Sequence, residues 1–209
     1  RPRWNCGTGG RPLSFLLSKE EKMQETAIVK GSIQDIAVST GKSIAEIFSS
    51  AEIVTIVDVS GSMLTQDSRG GKTRYAVACE ELAAIQRARP GKVAVIAFSD
   101  RTEFCPGGVP ILIGNSTNLS AALRFAKLAD LPGISIIVIS DGEPDDREAA
   151  TAIARTYMNK ISTIYVGPED RPAGRDFLSK LASATGGQTL TADRAKELAA
   201  SIETLLLKG

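Results

Sequence analysis

The chain contains no histidine, and only three cysteines, Cys6, Cys79 and Cys105, in 209 residues. With no histidine and no C-x-x-C pair, it lacks the nitrogen ligands and the paired sulfur ligands on which zinc sites depend. An odd number of widely spaced cysteines also speaks against a disulfide framework and points to a reducing, cytoplasmic setting. A dominant charge is missing too. Lys and Arg number 25 against 24 Asp and Glu, a formal net charge of +1 with both signs scattered along the chain. Such a balance offers no basic stripe to hold a phosphate backbone, so nucleic acid is not an expected partner. No apolar run approaches membrane-spanning length, and the SFLL piece near the start is much shorter than a signal-peptide core.

What is present fits one sizeable domain with an extension: 43% of the residues are hydrophobic and 23% charged. From about residue 50, short β-branched runs alternate with longer amphipathic stretches. Candidate strands are Ile53 to Val57, Lys92 to Phe98, Ser135 to Ile139, Ser162 to Val166 and Gln188 to Leu190. Helical patterns cover Arg74 to Arg87, Leu119 to Leu128, Asp145 to Asn159, Gly174 to Ala184 and Ala192 to Leu207. Strands apolar on both faces, alternating with helices, predict an α/β doubly wound fold with a mostly parallel sheet and helices on both faces. Thr102 to Cys105 follows its predecessor after three residues, too few for a parallel crossover, and is therefore expected to be an antiparallel edge strand.

The first 49 residues read as an extension. Residues 1–18 are rich in Gly, Pro and Arg and look irregular. Lys19 to Lys30 and Ser32 to Ser49 carry Ile33, Ile36, Ile44, Ile47 and Phe48 at spacings that suit short helices interrupted at Gly41. They are expected to pack on the sheet domain of residues 50–209, the alternative being a docking segment for another subunit.

Three separated pieces supply oxygen-bearing side chains just after apolar segments. IVTIVDVSGSM offers Asp58, Ser60 and Ser62, GNSTNLSAAL offers Thr117, and IIVISDGEP offers Asp141. In an extended backbone, side chains at i, i+2 and i+4 point to one side, so Asp58, Ser60 and Ser62 can converge, with Gly61 easing the turn between the serines. Ligands of open parallel sheets gather outside the carboxyl ends of the strands, where Asp58 and Asp141 both stand. Oxygen donors alone select a hard cation such as Mg²⁺ or Mn²⁺. Two carboxylates offset the ion's charge, while hydroxyls add neutral ligands.

This three-part constellation resembles the metal-ion-dependent adhesion site of von Willebrand factor type A domains, over about residues 50 to 208. Asp58, Ser60, Ser62, Thr117 and Asp141 match its five signature positions one for one, and the antiparallel edge strand matches its topology. The resemblance implies a non-enzymatic, divalent-metal-dependent protein-binding domain in which Mg²⁺ or Mn²⁺ takes an Asp or Glu carboxylate from a partner. It further implies both serines as direct ligands, and Thr117 and Asp141 as residues that exchange between direct and water-mediated contact. Many bacterial domains of this kind resemble adaptors working beside a MoxR-class AAA ATPase or another operon-encoded subunit.

A rival reading makes Asp58 the nucleophile of a Mg²⁺-dependent phosphotransferase or phosphatase resembling haloacid-dehalogenase-like enzymes, with Asp141 helping to hold the metal. Those enzymes need a second acid two residues beyond the nucleophile, where this chain has Ser60, and a lysine near the phosphate that no residue here declares. Gly70-Gly71-Lys72-Thr73 looks like the end of a P-loop, but the earlier glycine position holds Gln66 and the preceding strand is too far away. Met63, Leu64, Asn115, Ser116 and Glu143 adjoin the candidate ligands and could form a rim that selects a partner. Asp67 and Asp100 are expected on the solvated surface, and Cys79 is expected in the core.

Overall fold

The computed structural model describes residues 28–111, 114–168 and 170–192. The irregular start, the helical pattern over residues 19–27 and the last pattern beyond Ala192 lie outside the described residues. Two short helices open the described part, α1 (Ile33–Thr40) and α2 (Ile44–Phe48). Serine begins each: the Ser32 hydroxyl accepts from Asp35 N–H, and Ser43 forms a capping box with Glu46. Gly41 ends α1 in the left-handed region at φ 69°, where the sequence pattern breaks.

The sheet follows as β1 (Ile53–Asp58), β2 (Val93–Phe98), β3 (Thr102–Phe104), β4 (Ser135–Ser140), β5 (Ile161–Tyr165) and β6 (Thr189–Thr191). Its strand order is β3-β2-β1-β4-β5-β6. Every pairing is parallel except β2 with β3, where Phe98 faces Thr102 across the short turn, so the edge strand is antiparallel as expected. β1 and β2 are buried along their whole length, which is why their sequences run apolar without alternation. Between the strands lie α3 (Arg74–Ala88), α4 (Leu119–Ala126), α5 (Arg147–Ala154) and α6 (Pro172–Ser183).

Two apolar layers sandwich the sheet. One joins Val54, Ile56, Ile96, Ile136 and Val138 to Leu119 and Leu123 of α4, Leu178 and Leu181 of α6, and Ile33, Ala37 and Ile47 of the two opening helices. The other sets Ile53, Val57, Val95 and Ile139 against Val77, Ala78, Leu82 and Ile85 of α3. Cys79, expected in the core, is half-buried on α3 rather than enclosed. Among the described residues no helix is long and apolar enough to cross a membrane.

Two helices are shorter than their sequence patterns. The pattern from Asp145 to Asn159 becomes a helix only over Arg147–Ala154, capped by Asp146. Beyond it, the Met158 and Asn159 N–H groups donate to the Asp130 carboxylate at 2.7 and 3.1 Å, drawing the chain off the helical path. The pattern to Leu128 ends as α4 at Ala126 and tightens into a 3₁₀ turn over Lys127–Ala129.

Candidate metal centre

The crevice stands where strand order reverses. β1 is flanked by β2 and β4, so the chain leaves β1 and β4 on opposite sides of a gap at their carboxyl ends, which in open α/β sheets is where ligands bind. Asp58 is the last residue of β1, and Asp141 directly follows β4. Both side chains are buried.

Each aspartate is aimed by its own backbone. The Ser60 N–H donates to Asp58 Oδ1 at 2.9 Å, and the Glu143 N–H donates to Asp141 Oδ1 at 3.2 Å, so both carboxylates close turns over the two residues that follow. Asp58 Oδ2 accepts from the Ser140 hydroxyl at 2.7 Å, a bond that ties the end of β1 to the end of β4. The same Ser140 hydroxyl oxygen accepts from the Gly142 N–H at 2.9 Å and so shapes the turn that carries Asp141.

Ser60 and Ser62 lie where the chain enters a 3₁₀ turn (Gly61–Leu64), and their hydroxyl oxygens approach to 3.1 Å. The two serine hydroxyls of the D-x-S-x-S run thus come together, beside the residue whose carboxylate accepts from the Ser60 N–H. Gly61, however, has no positive φ, and a Cβ there would meet only Asn115 Oδ1 at an ordinary 3.5 Å. The 3₁₀ turn brings the serines together without glycine's freedom. Gly142 is the glycine the site requires: at φ 74°, a Cβ would fall 2.1 Å from the Gly174 carbonyl oxygen. Gly174 in turn packs its Cα against the Asp141 carbonyl, leaving 2.0 Å for any Cβ.

Thr117 is held from both flanks of β1. Its N–H donates to both oxygens of Asp145 at 3.1 Å, its carbonyl accepts the Asp145 N–H, and the Asn118 N–H donates to the Ser99 carbonyl just past β2. Asn118 then caps α4 by accepting from Ala121 N–H. Among the described residues no hydrogen bond engages the Thr117 hydroxyl, which leaves it available as an oxygen donor.

Burial pushes the Asp58 carboxyl up to about 6, and the neighbouring Asp141 charge pushes it the same way, against the hydrogen bonds from Ser60 and Ser140 that favour the anion. Two buried carboxylates close enough to repel each other, beside a pair of hydroxyls, suit a small hard cation, which would relieve that repulsion. Among the described residues no group of three or more His, Cys, Asp or Glu side chains is placed to hold a metal. Any ion held by this set therefore depends on the hydroxyls.

Three contributors were not legible in the sequence. Ser140 and Asp145, just described, position Asp58 and Thr117. The third is Arg74, the first residue of α3, whose side chain is 3% exposed. Its Nη1 donates to Asp141 Oδ2 at 2.7 Å, while Nε and Nη2 grip the two oxygens of Asp67 at 2.8 and 2.9 Å. Asp67 is thus not a solvated bystander as expected: the hydrogen bond from Arg74 holds its carboxyl below the usual range. Asp67 raises Arg74 in turn, Asp141 adding to it. A signal did exist, because a cation at the first position of a helix opposes the helix dipole and calls for a specific partner. Of the expected rim, Leu64, Asn115 and Glu143 are exposed and Ser116 is half-buried, but Met63 is fully buried in the layer beneath α3. Asp100 is exposed and accepts from the Ser99 hydroxyl at 2.8 Å.

No family model and no curated protein matches this sequence. Solved structures do share its fold. An aerotolerance-related membrane protein from Bacteroides fragilis NCTC 9343, with multiple mutations to serines, superposes at TM-score 0.65 with 20% identity over 76% of this chain and 100% of that one. The conserved hypothetical protein BatB from Bacteroides thetaiotaomicron superposes at 0.52 with 17% identity, over 76% of this chain and 98% of its own. A von Willebrand factor type A structure from Catenulispora acidiphila gives 0.49 with 20% identity, over 75% of this chain and 42% of that one. At such identities the likeness is one of architecture: a Rossmann-like α/β fold with a mostly parallel six-stranded sheet and one antiparallel edge strand.

Proposed function

We propose that this chain is a binding module that holds Mg²⁺ or Mn²⁺ through Asp58, Ser60, Ser62, Thr117 and Asp141 and uses it to engage a carboxylate of a partner protein. The observation that carries the reading is the pair of buried aspartates at the strand-order reversal, with two hydroxyls 3.1 Å apart beside them. When bound, the ion supplies an electrophilic centre to which an outside carboxylate adds as a ligand. Asp58 and Asp141 bring the negative charge, and the three hydroxyls bring donors without further repulsion. Ser140 and Asp145 hold Asp58 and Thr117 in place from β4 and the loop after it. The exposed Leu64, Asn115 and Glu143 form the rim against which a partner would lie.

Binding rather than catalysis is the reading the residues favour. Position 60 offers a hydroxyl where a phosphotransferase of the alternative kind needs an acid. The odd number of widely spaced cysteines suits a cytoplasmic role, and a MoxR-class ATPase is one partner to look for there.

Titration calorimetry with Mg²⁺ and Mn²⁺ is the direct test. Wild-type protein is expected to bind one ion and Asp58→Ala none; equal affinity in the two proteins overturns the assignment. Capture from the native host with magnesium or with chelator is then expected to differ in the proteins retained.

A further inference from the structure

Arg74 places a permanent positive charge against one of the two carboxylates that the metal reading assigns to the ion. A guanidinium does not lose its proton in a protein, so this charge cannot be removed by pH. Its fork is divided: one nitrogen on Asp141 Oδ2 at 2.7 Å, two on Asp67. The two acceptors differ in setting. Asp141 is 1% exposed and Asp67 is 25% exposed, with Arg171 a further cation 3.9 Å from it. Asp67 follows the serine-bearing 3₁₀ turn, and Arg74 is also fixed by its backbone N–H to the Thr65 carbonyl at 3.1 Å, so the bridge spans from that loop to the end of β4.

We propose that Arg74 is a positioning residue that sets how much of Asp141's charge is available to the ion, with Asp67 as the competing anchor that draws part of the guanidinium away. The inference rests on the metal reading and deepens it. Against the −2 of Asp58 and Asp141, Arg74 sets one positive charge, which the more exposed Asp67 screens only in part. A cation held there is under-neutralised, which weakens its own binding and strengthens its attraction for an acidic ligand from outside. The arrangement thus trades metal affinity for carboxylate affinity.

The test compares three variants by Mn²⁺ calorimetry on the full chain, followed by titration of the Mn²⁺-loaded proteins with a glutamate-containing peptide. Arg74→Gln is expected to tighten Mn²⁺ binding by about tenfold, because it removes a like charge next to the ion, and to weaken peptide binding. Asp67→Asn is expected to do the opposite to the metal, weakening it several-fold, because the whole guanidinium then bears on Asp141. Arg74→Lys, which keeps the charge, is expected to return Mn²⁺ affinity toward the wild-type value. A merely structural strut predicts that Arg74→Gln and Asp67→Asn both weaken Mn²⁺ binding; that result, or no change in either, overturns the inference while the metal reading stands. Should Arg74→Gln fail to fold, Asp67→Asn decides through the peptide: tighter peptide binding by the Mn²⁺-loaded variant supports the inference, and weaker or unchanged peptide binding overturns it. A wild-type chain that binds no Mn²⁺ brings down both.

Discussion

Asp58 answers to two opposed demands: its burial and its neighbour Asp141 disfavour the anion that a metal would need. Its folded pKa of about 6 stands above the ordinary 3.8, so the stability it contributes is complete below about pH 4 and is lost as pH rises through 6. In chelator, wild-type protein is therefore expected to match Asp58→Asn near pH 4 and to be less stable by about 2–3 kcal/mol at pH 7. Urea denaturation at a series of pH values reads this gap; one that stays constant from pH 4 to 7 refutes the shift. Added Mg²⁺ should close the deficit in the wild type alone, since a ligand of the folded state stabilises it by mass action. At Thr117 the expectation concerns binding more than folding. Thr117→Ala removes a hydroxyl that no described residue engages, so metal-dependent partner capture should fall while the unfolding midpoint in chelator stays within about 2 °C of wild type. Asp145→Ala strips two acceptors from the Thr117 N–H and is expected to weaken both metal binding and stability, the latter by about 1–3 kcal/mol in denaturant melts.

Among the elements, the strands were the most legible part. β1, β2 and β4 are short, β-branched and enclosed on both faces, so an unbroken apolar run announced each to within a residue of its ends. Helix ends were less so, because long-range acceptors decide them: Asp130 takes the N–H groups of Met158 and Asn159, and nothing near residue 155 in the sequence foretells it. The metal-ligand candidates were legible because period-two spacing after a strand is a local property. Arg74, Ser140 and Asp145 were not, because each acts across 28 or more residues on a partner that only the fold supplies. Gly142 belongs to this scale as well, since it seats the β4 turn against α6. Gly142→Ala is expected to lower stability by more than about 2 kcal/mol, left-handed backbone strain of about 1 kcal/mol adding to the collision with Gly174, and to weaken Mn²⁺ binding by displacing Asp141. A melt superimposable on wild type would show that the turn relaxes freely.

Over the whole molecule, the two opening helices share their apolar layer with the sheet: Ile33 is 1% exposed and contributes to the same cluster as Val54 and Leu123. Ile33→Ala is accordingly expected to cost about 2–5 kcal/mol and to shift a single cooperative transition, whereas a loosely attached arm would leave the main transition untouched and add a separate early one. The broad architecture was readable because alternation of strand and helix, together with one connection too short for a crossover, leaves few topologies open. What no periodicity conveys is how rigidly the far side of the sheet is joined to the crevice. At Gly142 and Gly174 two main chains touch with nothing between them that could rotate aside, so the joint has no slack. Any side chain larger than hydrogen at either glycine would wedge α6 away from the turn that carries Asp141.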